Sequence, residues 1–465
     1  MKTIGLHQKH KRHNILELKK YHEEDFGLFI MALKNLQESD DWYRICGIHG
    51  NTFKPNDPGV LCPTDPTIVQ EISETGEPFY CKHSVYSFIA WHTPYIYQFE
   101  LLLNKYNKSS NKKYITLPYL DLTDIGEDFS FLNDPKIVIL YNDEYMSQSY
   151  NNKRIMVDNP LASSYYYLNG VKTKTTRNGF FTPRTKNEYN QLVTIKKQLN
   201  NTLYASSYEH FSSSVNLLTD YVPLETPHNN LHDIIGGEGG NMSDISISAF
   251  DPVFWLHHCN MDRHFYTWLY LNTDHFKKSI YPNKISDINY NATQAPFFNS
   301  RIYDTNFIDY NYGWLNKENT YMLLKDLIQI DNFPYTYNII KPTPEKPNKS
   351  YIALVNIPVP RESMSISLYL YKKSEKLNTD IHYAGSASWF GINRNQKYCS
   401  RCNTIRTNIK IDIDQYVEEN NITKDNYNDY HLLIVGKGNL INNIGVYNQY
   451  TLDEILNGGE LQINI

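Results

Sequence analysis

His228 and His232 stand four residues apart in His228-Asn229-Asn230-Leu231-His232. Four steps of about 100° put both imidazoles on one helix face, one turn apart, which is the spacing a helix needs to chelate a single ion. A second piece reads Asp251-Pro252-Val253-Phe254-Trp255-Leu256-His257-His258 and runs on to Asp262-Arg263. Asp251 suits an N-cap and Pro252 a first helical position, which places His258 about two turns into an apolar helix. There each ring nitrogen needs a partner, either a backbone carbonyl or an ion. Asp262, one turn beyond His258, could orient a ligand. The pair and His258 make three nitrogens, enough for a metal with open positions.

A third piece, Cys81-Lys82-His83-Ser84 and then Trp91-His92-Thr93-Pro94-Tyr95, holds two more histidines nine residues apart. Nine steps leave them on opposite sides of a straight helix, so one must lie on the approach loop. Ser84 is a candidate cap that leaves His83 outside. His49, in Gly47-Ile48-His49-Gly50, is the third imidazole of this set. Imidazole-only ligation suits copper or zinc, and two such sets with open positions suggest copper and dioxygen without naming the metal.

These residues must be held by helices, and the sequence supplies them. Residues 14–38 read as one helix, with Phe26, Phe29, Ile30, Leu33 and Leu36 at helical spacing. Further helices are predicted around Trp42–Ile48, after Ser84, near Glu188–Leu199 and from Pro227 to Tyr270, while 123–220 otherwise reads as irregular. Three Pro in Lys341–Pro347 mark a linker. Beyond it the runs Tyr351–Val359, Met364–Tyr371, Thr404–Ile413 and His431–Val435 are strand-like, with Ile409, Ile411 and Ile413 alternating with polar residues. The division is therefore 1–340 helical, 341–350 linker and 351–465 an all-β sandwich.

Composition narrows the partners. The formal charge is −5, from 45 Lys+Arg against 50 Asp+Glu, which gives no electrostatic case for nucleic acid or an anionic membrane. The basic N-terminus has no apolar signal core, and no run reaches membrane-span length, so a cytoplasmic location is expected. Six Cys in 465 residues do not make a disulfide framework. Cys46, Cys62 and Cys259 read as structural, and His7, His10 and His13 as a solvated basic tail.

The two histidine segments resemble the two copper signatures of the tyrosinase, catechol oxidase and haemocyanin family. Gly47–Gly50, Asn159-Pro160-Leu161 and Tyr335-Thr336-Tyr337 add to the likeness, and the overall pattern is closest to fungal-type latent tyrosinases. The resemblance implies a four-helix bundle around two copper ions. His49, His83 and His92 would bind the first ion, and His228, His232 and His258 the second, with His257 a neighbour. It implies O2 as co-substrate, small phenols as substrates, and a monophenol monooxygenase and o-diphenol oxidase activity. A catechol oxidase and a haemocyanin-like oxygen carrier stand as the alternatives.

The resemblance also implies a thioether from Cys81 to His83, and a water held by Glu225 and Asn229 that helps deprotonate a phenol. Ile245 falls where the family has a gate over the first copper. The β-rich region resembles the domain that shields the pocket in latent enzymes, with Phe390 the candidate shielding side chain and Trp389 the next. An activating protease would then cut the linker. Cys399-Ser400-Arg401-Cys402 resembles a motif that takes copper from a chaperone, and a loop disulfide or two free thiols would fit the same spacing.

Overall fold

The computed structural model describes residues 9–50, 81–142, 152–213, 222–298, 321–343, 350–358, 364–374, 382–389, 406–438 and 460–464, apart from positions 111, 169, 275–278, 281, 287–288, 290, 329 and 331–332. Among the described residues, the first part is organised by seven helices of at least seven residues: α1 (Ile15–Tyr21), α2 (Glu23–Gln37), α3 (Asp40–Gly50), α4 (Phe88–Lys105), α5 (Lys186–Thr202), α6 (Glu225–Gly236) and α7 (Val253–Leu271). Among the described residues none is long and apolar enough to cross a membrane.

The stretch read as one helix over 14–38 is two. His22 ends α1 and begins α2 with φ −133 and ψ 53, outside the helical region. The apolar spacing is unchanged on both sides, so periodicity could not see the break. Of the N-terminal histidines, His7 lies outside the described residues, and His10 and His13 are not a loose tail. β1 (His10–Lys11) pairs in parallel with Tyr335–Thr336, and the His10 ring stacks on Tyr114 at 4.0 Å. Ser84 does not cap α4. It sits at φ +55, and the helix begins at Phe88. Asp251 does cap α7, its carboxylate accepting the Val253 N–H at 2.9 Å while also pairing with Arg177.

Within the region read as irregular lies an antiparallel hairpin, β2 (Lys136–Asn142) with β3 (Asn152–Asp158), and a shorter one, β4 (Tyr165–Leu168) with Val171–Lys174, follows. Their outward faces carry Val138, Met156 and Val171 exposed, so the half-buried alternation that marks a strand is blurred.

Arg12 ties the helical part together. It is fully buried, with its guanidinium on Glu100 of α4 (2.7 Å) and Asp262 of α7 (3.3 Å) and stacked over Tyr335 at 3.5 Å. Tyr335 and Tyr337, part of the family likeness above, each donate to Asp262 at 2.8 Å. Removing one partner would strand the others in the core, at a cost of about 3–5 kcal/mol.

After Ser350 the chain is β-rich. β5 (Tyr351–Pro358), β6 (Met364–Lys372), β7 (His382–Trp389), β8 (Arg406–Asp412), β9 (Tyr430–Gly438) and β10 (Glu460–Asn464) form two antiparallel sheets, in the orders β8-β5-β10 and β7-β6-β9. Ile352 and Leu354, Ile366 and Leu368, Ala387 and Ile411 alternate inward and share one apolar core, which makes the region a sandwich. Asp412, one of the polar residues that alternate with these isoleucines, is nonetheless only 4% exposed. The two sheets close tightly there: a Cβ on Gly385 would meet the Asp412 carbonyl oxygen at 2.6 Å.

Candidate metal centre

α3, α4, α6 and α7 bring the six histidines together, all buried, and each set closes into a group. His49, His83 and His92 lie with Cys81, and His228, His232 and His258 lie with His257; within each group the candidate donor atoms are all within 4.8 Å of one another. The groups abut. His92 stacks on His258 with centroids 4.4 Å apart, and His83 lies 5.6 Å from His228. Phe254 packs against His258 at 4.1 Å and His49 at 4.8 Å, and Phe88 against His228 at 4.7 Å, so the surroundings are apolar.

Four of the rings are held from behind by a single acceptor. His49 Nδ1 meets the Ile245 carbonyl at 3.0 Å, His92 Nδ1 the Phe88 carbonyl at 2.7 Å, and His232 Nδ1 the Met242 carbonyl at 2.8 Å. His228 Nδ1 meets the side-chain oxygen of Asn229 at 2.8 Å. An oxygen of this kind only accepts, so Nδ1 must carry the proton and Nε2 is left with its lone pair.

The turns that deliver those carbonyls depend on glycine. A Cβ on Gly50 would lie 1.9 Å from the Ser246 carbonyl oxygen, so Gly50 lets the 244–247 turn press against α3 beside His49. Gly237 ends α6 at φ +63, and the chain returns to place Met242 over His232.

The Nε2 atoms then converge. Those of His228 and His232 lie 3.3 and 3.1 Å from His258 Nε2, and His49 Nε2 and His258 Nδ1 are buried with no hydrogen-bond partner. Burial drives the pKa of all six imidazoles far below the usual histidine value, that of His92 to about 3. Neutral imidazoles with lone pairs facing one another, in a dry pocket, form a donor set that a cation would satisfy and that costs free energy otherwise. An all-imidazole set fits copper.

Cys81 Sγ lies 3.3 Å from His83 Nδ1 and 4.0 Å from its Nε2, against the ring edge whose carbon joins the two nitrogens. The same sulfur is 3.4 Å from His92 Nε2. Glu225 is buried at the start of α6. It accepts the Ser84 N–H at 2.6 Å and the Ser213 hydroxyl, and desolvation raises its carboxyl to about 7. The carboxylate thus fixes the residue after the loop ligand His83.

Asp262 does not orient a ligand imidazole. Its oxygens go to Thr93, Tyr335, Tyr337 and Arg12, so it acts on α4 beside His92. Ile245 is fully buried, and its backbone carbonyl meets His49. His257 offers a further unpartnered Nε2, 4.5 Å ring-to-ring from His232. Phe390, Cys399 and Cys402 lie outside the described residues, as does the side chain of Trp389.

Sequence reasoning expected a shielding β-domain but missed the carbonyls behind the rings, the Glu225–Ser84 contact and the particular bond by which the sandwich docks on α6. There the Ser388 N–H donates to Asn230 Oδ1 at 2.9 Å. Only the glycines flanking the turns gave any signal for these.

A helical core that holds two buried, abutting imidazole groups, with a β-sandwich against it, fits a protein built around a pair of copper ions. The family model for the common central domain of tyrosinase matches residues 39–271, and the chain belongs to the tyrosinase family. It is 28% identical to a tyrosinase of Neurospora crassa over 57% of this chain and 44% of that protein. It is also 28% identical to a tyrosinase of Podospora anserina, over 57% and 52%. The chain thus matches about half the length of these curated relatives. A mushroom tyrosinase crystallised with latent and active forms together has the same fold, with TM-score 0.65 at 16% identity over 98% of this chain and 97% of that one.

Proposed function

We propose that the protein is a tyrosinase that hydroxylates monophenols to o-diphenols and oxidises these to o-quinones with O2, and that the sandwich keeps it latent. Copper ions held by His49, His83 and His92 and by His228, His232 and His258 would supply the binding and reduction of O2. The chain's own task is the phenol. A phenol has a pKa near 10 and must lose its proton to become a ligand. The observation that carries the reading is Glu225: a carboxyl buried three residues before His228 on the same helix, where desolvation pushes it up to about 7. It can accept that proton near neutral pH through a water shared with Asn229, whose side chain also sets the tautomer of His228. The phenyl ring would pack against the apolar walls.

Latency is supported by β7, which docks on α6 and ends one residue before Phe390. In this reading Phe390 covers the pocket, Ile245 borders its entrance, and Cys399 and Cys402 hand over copper. The thioether would lock His83, the one ligand in neither a helix nor a strand.

The test is O2 uptake by copper-loaded protein, uncut and cut within 341–348, with a monophenol and then a diphenol. Uptake with both substrates, rising on cutting, is expected. Uptake with the diphenol alone makes the protein a catechol oxidase and removes the proton role from Glu225. Reversible O2 binding without turnover makes it a carrier. Equal rates before and after cutting end the shielding role.

A further inference from the structure

Three clusters of metal-ligating side chains occur among the described residues, and two of them are the centre described above. The third is His13, Glu17 and His22, whose candidate donor atoms also lie within 4.8 Å of one another. It sits where α1 meets α2. His13 Nδ1 is 3.3 Å from Glu17 Oε2, and the His13 and His22 rings are 4.8 Å apart, tilted by 49°.

An ion pair between protonated His13 and Glu17 would account for two of these residues but not for the third. His22 occupies the N-cap of α2, where Ser, Thr, Asp or Asn is favoured for its side-chain oxygen, and its side chain makes no capping bond. It turns toward His13 instead. Two charged imidazoles at that separation would repel. Two neutral ones beside a carboxylate make a donor set of two nitrogens and an oxygen. His13 Nδ1 is screened from water, and its 3.3 Å approach to Glu17 lacks hydrogen-bond geometry.

The three residues are set in place before any ion arrives. The His13 carbonyl accepts the Tyr119 N–H at 2.9 Å, and Asn14 caps α1 through the Leu16 N–H at 3.0 Å. The His22 N–H reaches the Leu18 carbonyl at 3.0 Å, and its own carbonyl accepts from Phe26 at 2.9 Å. Little ordering remains to oppose binding. The His13 and Glu17 side chains are 19% and 34% exposed, so an ion can enter from solvent and keep water in its remaining positions.

We propose that His13, Glu17 and His22 form a site for a divalent transition-metal ion, distinct from the six-histidine centre and tying α1 to α2. Two imidazoles and one carboxylate select Zn2+ or Cu2+ over Mg2+ and Ca2+, which prefer oxygen cages.

The experiment uses the full chain with its centre filled with copper and the excess removed, titrated with Zn2+ by calorimetry and metal analysis. One further equivalent at micromolar affinity is expected, with unchanged copper content and a raised melting temperature. The double variant His13→Ala/His22→Ala should lose that equivalent, its affinity falling at least about tenfold. It should retain its copper and its zinc-free melting temperature. Glu17→Gln should weaken binding less. No additional equivalent below millimolar Zn2+, zinc that displaces copper instead of adding to it, or an equivalent that persists in the double variant would each overturn the proposal.

Discussion

In the second histidine group two ligands leave α6 one turn apart and the third leaves α7, so helix geometry sets most of their relative placement. In the first group each histidine comes from a different piece of chain: the end of α3, the loop before α4, and α4 itself. No helix or strand positions His83. The structure supplies what the helix does not, with the Cys81 sulfur against the ring and the Glu225 carboxylate on the neighbouring Ser84 N–H. Glu225 belongs to α6, so the helix that carries the second group also props the weakest member of the first. Preorganisation is inherent in one group and assembled by contacts in the other.

The largest effects test whether the groups are separate. His258→Ala should cost one of two coppers and reduce oxygen consumption roughly a thousandfold or more, because the metal supplies the chemistry. His83→Ala should cost only the other copper. Metal analysis of both variants checks this. If either variant lost both ions, the centre would be one unit and the contrast between the groups would fail.

Glu225 comes next. Glu225→Ala removes the acceptor for Ser84 and should weaken copper at the first group by roughly 10- to 100-fold, though the residue lies on the helix of the second. Glu225→Gln keeps an acceptor oxygen and should keep most of that affinity. The pH profile separates both variants from the native chain. With the carboxyl at about 7, it is protonated below that pH and cannot accept a proton, so the monophenol rate should rise through pH 7 to a plateau. Glu225→Gln should lose that limb and leave diphenol oxidation much less affected. Equal loss of copper from both groups in Glu225→Ala would mean that the carboxylate serves α6 and not the loop.

Cys81 should have a smaller effect. If the sulfur bonds to the adjacent ring carbon, the thiol and the ring each lose a hydrogen, and the two electrons pass to an oxidant such as O2. Copper-loaded, aerobically turned-over protein, unfolded and reduced, should then show one free thiol fewer than the six Cys of the sequence. Cys81→Ser should retain both coppers and release the first several-fold faster. An unchanged release rate would leave Glu225 as the main support of the loop.

The same contrast explains what could be read in advance. His228 and His232 announce themselves by spacing, and Asp251 and Pro252 announce the start of α7, because helix geometry and capping are local. The break at His22 was invisible, since the apolar period continues across it. The carbonyls of Phe88, Ile245 and Met242 that fix ring tautomers were invisible too, because a carbonyl carries no residue identity. Ser84 looked like a cap by residue type, but its position follows from a carboxylate 141 residues away in sequence. The sandwich was legible in its inward-alternating isoleucines and leucines. Strand β7 was not, as Tyr383-Ala384-Gly385-Ser386 has little of that pattern.

That strand gives the smallest effect expected. Asn230 lies between His228 and His232 on α6, two residues from each, and so on a different side of the helix. Its side-chain oxygen accepts the Ser388 N–H and its amide reaches Gln198 of α5, so it joins the metal-bearing helix to the sandwich. Such a bond is worth about 1 kcal/mol net, and somewhat more when the remaining donor stays buried. Asn230→Ala should therefore loosen the sandwich without releasing it. O2 uptake by the uncut chain should rise a few-fold, while the chain cut within 341–348 keeps its rate. If both forms instead slowed together, Asn230 would act on the imidazoles of its own helix. The second group would then need outside support as much as the first does.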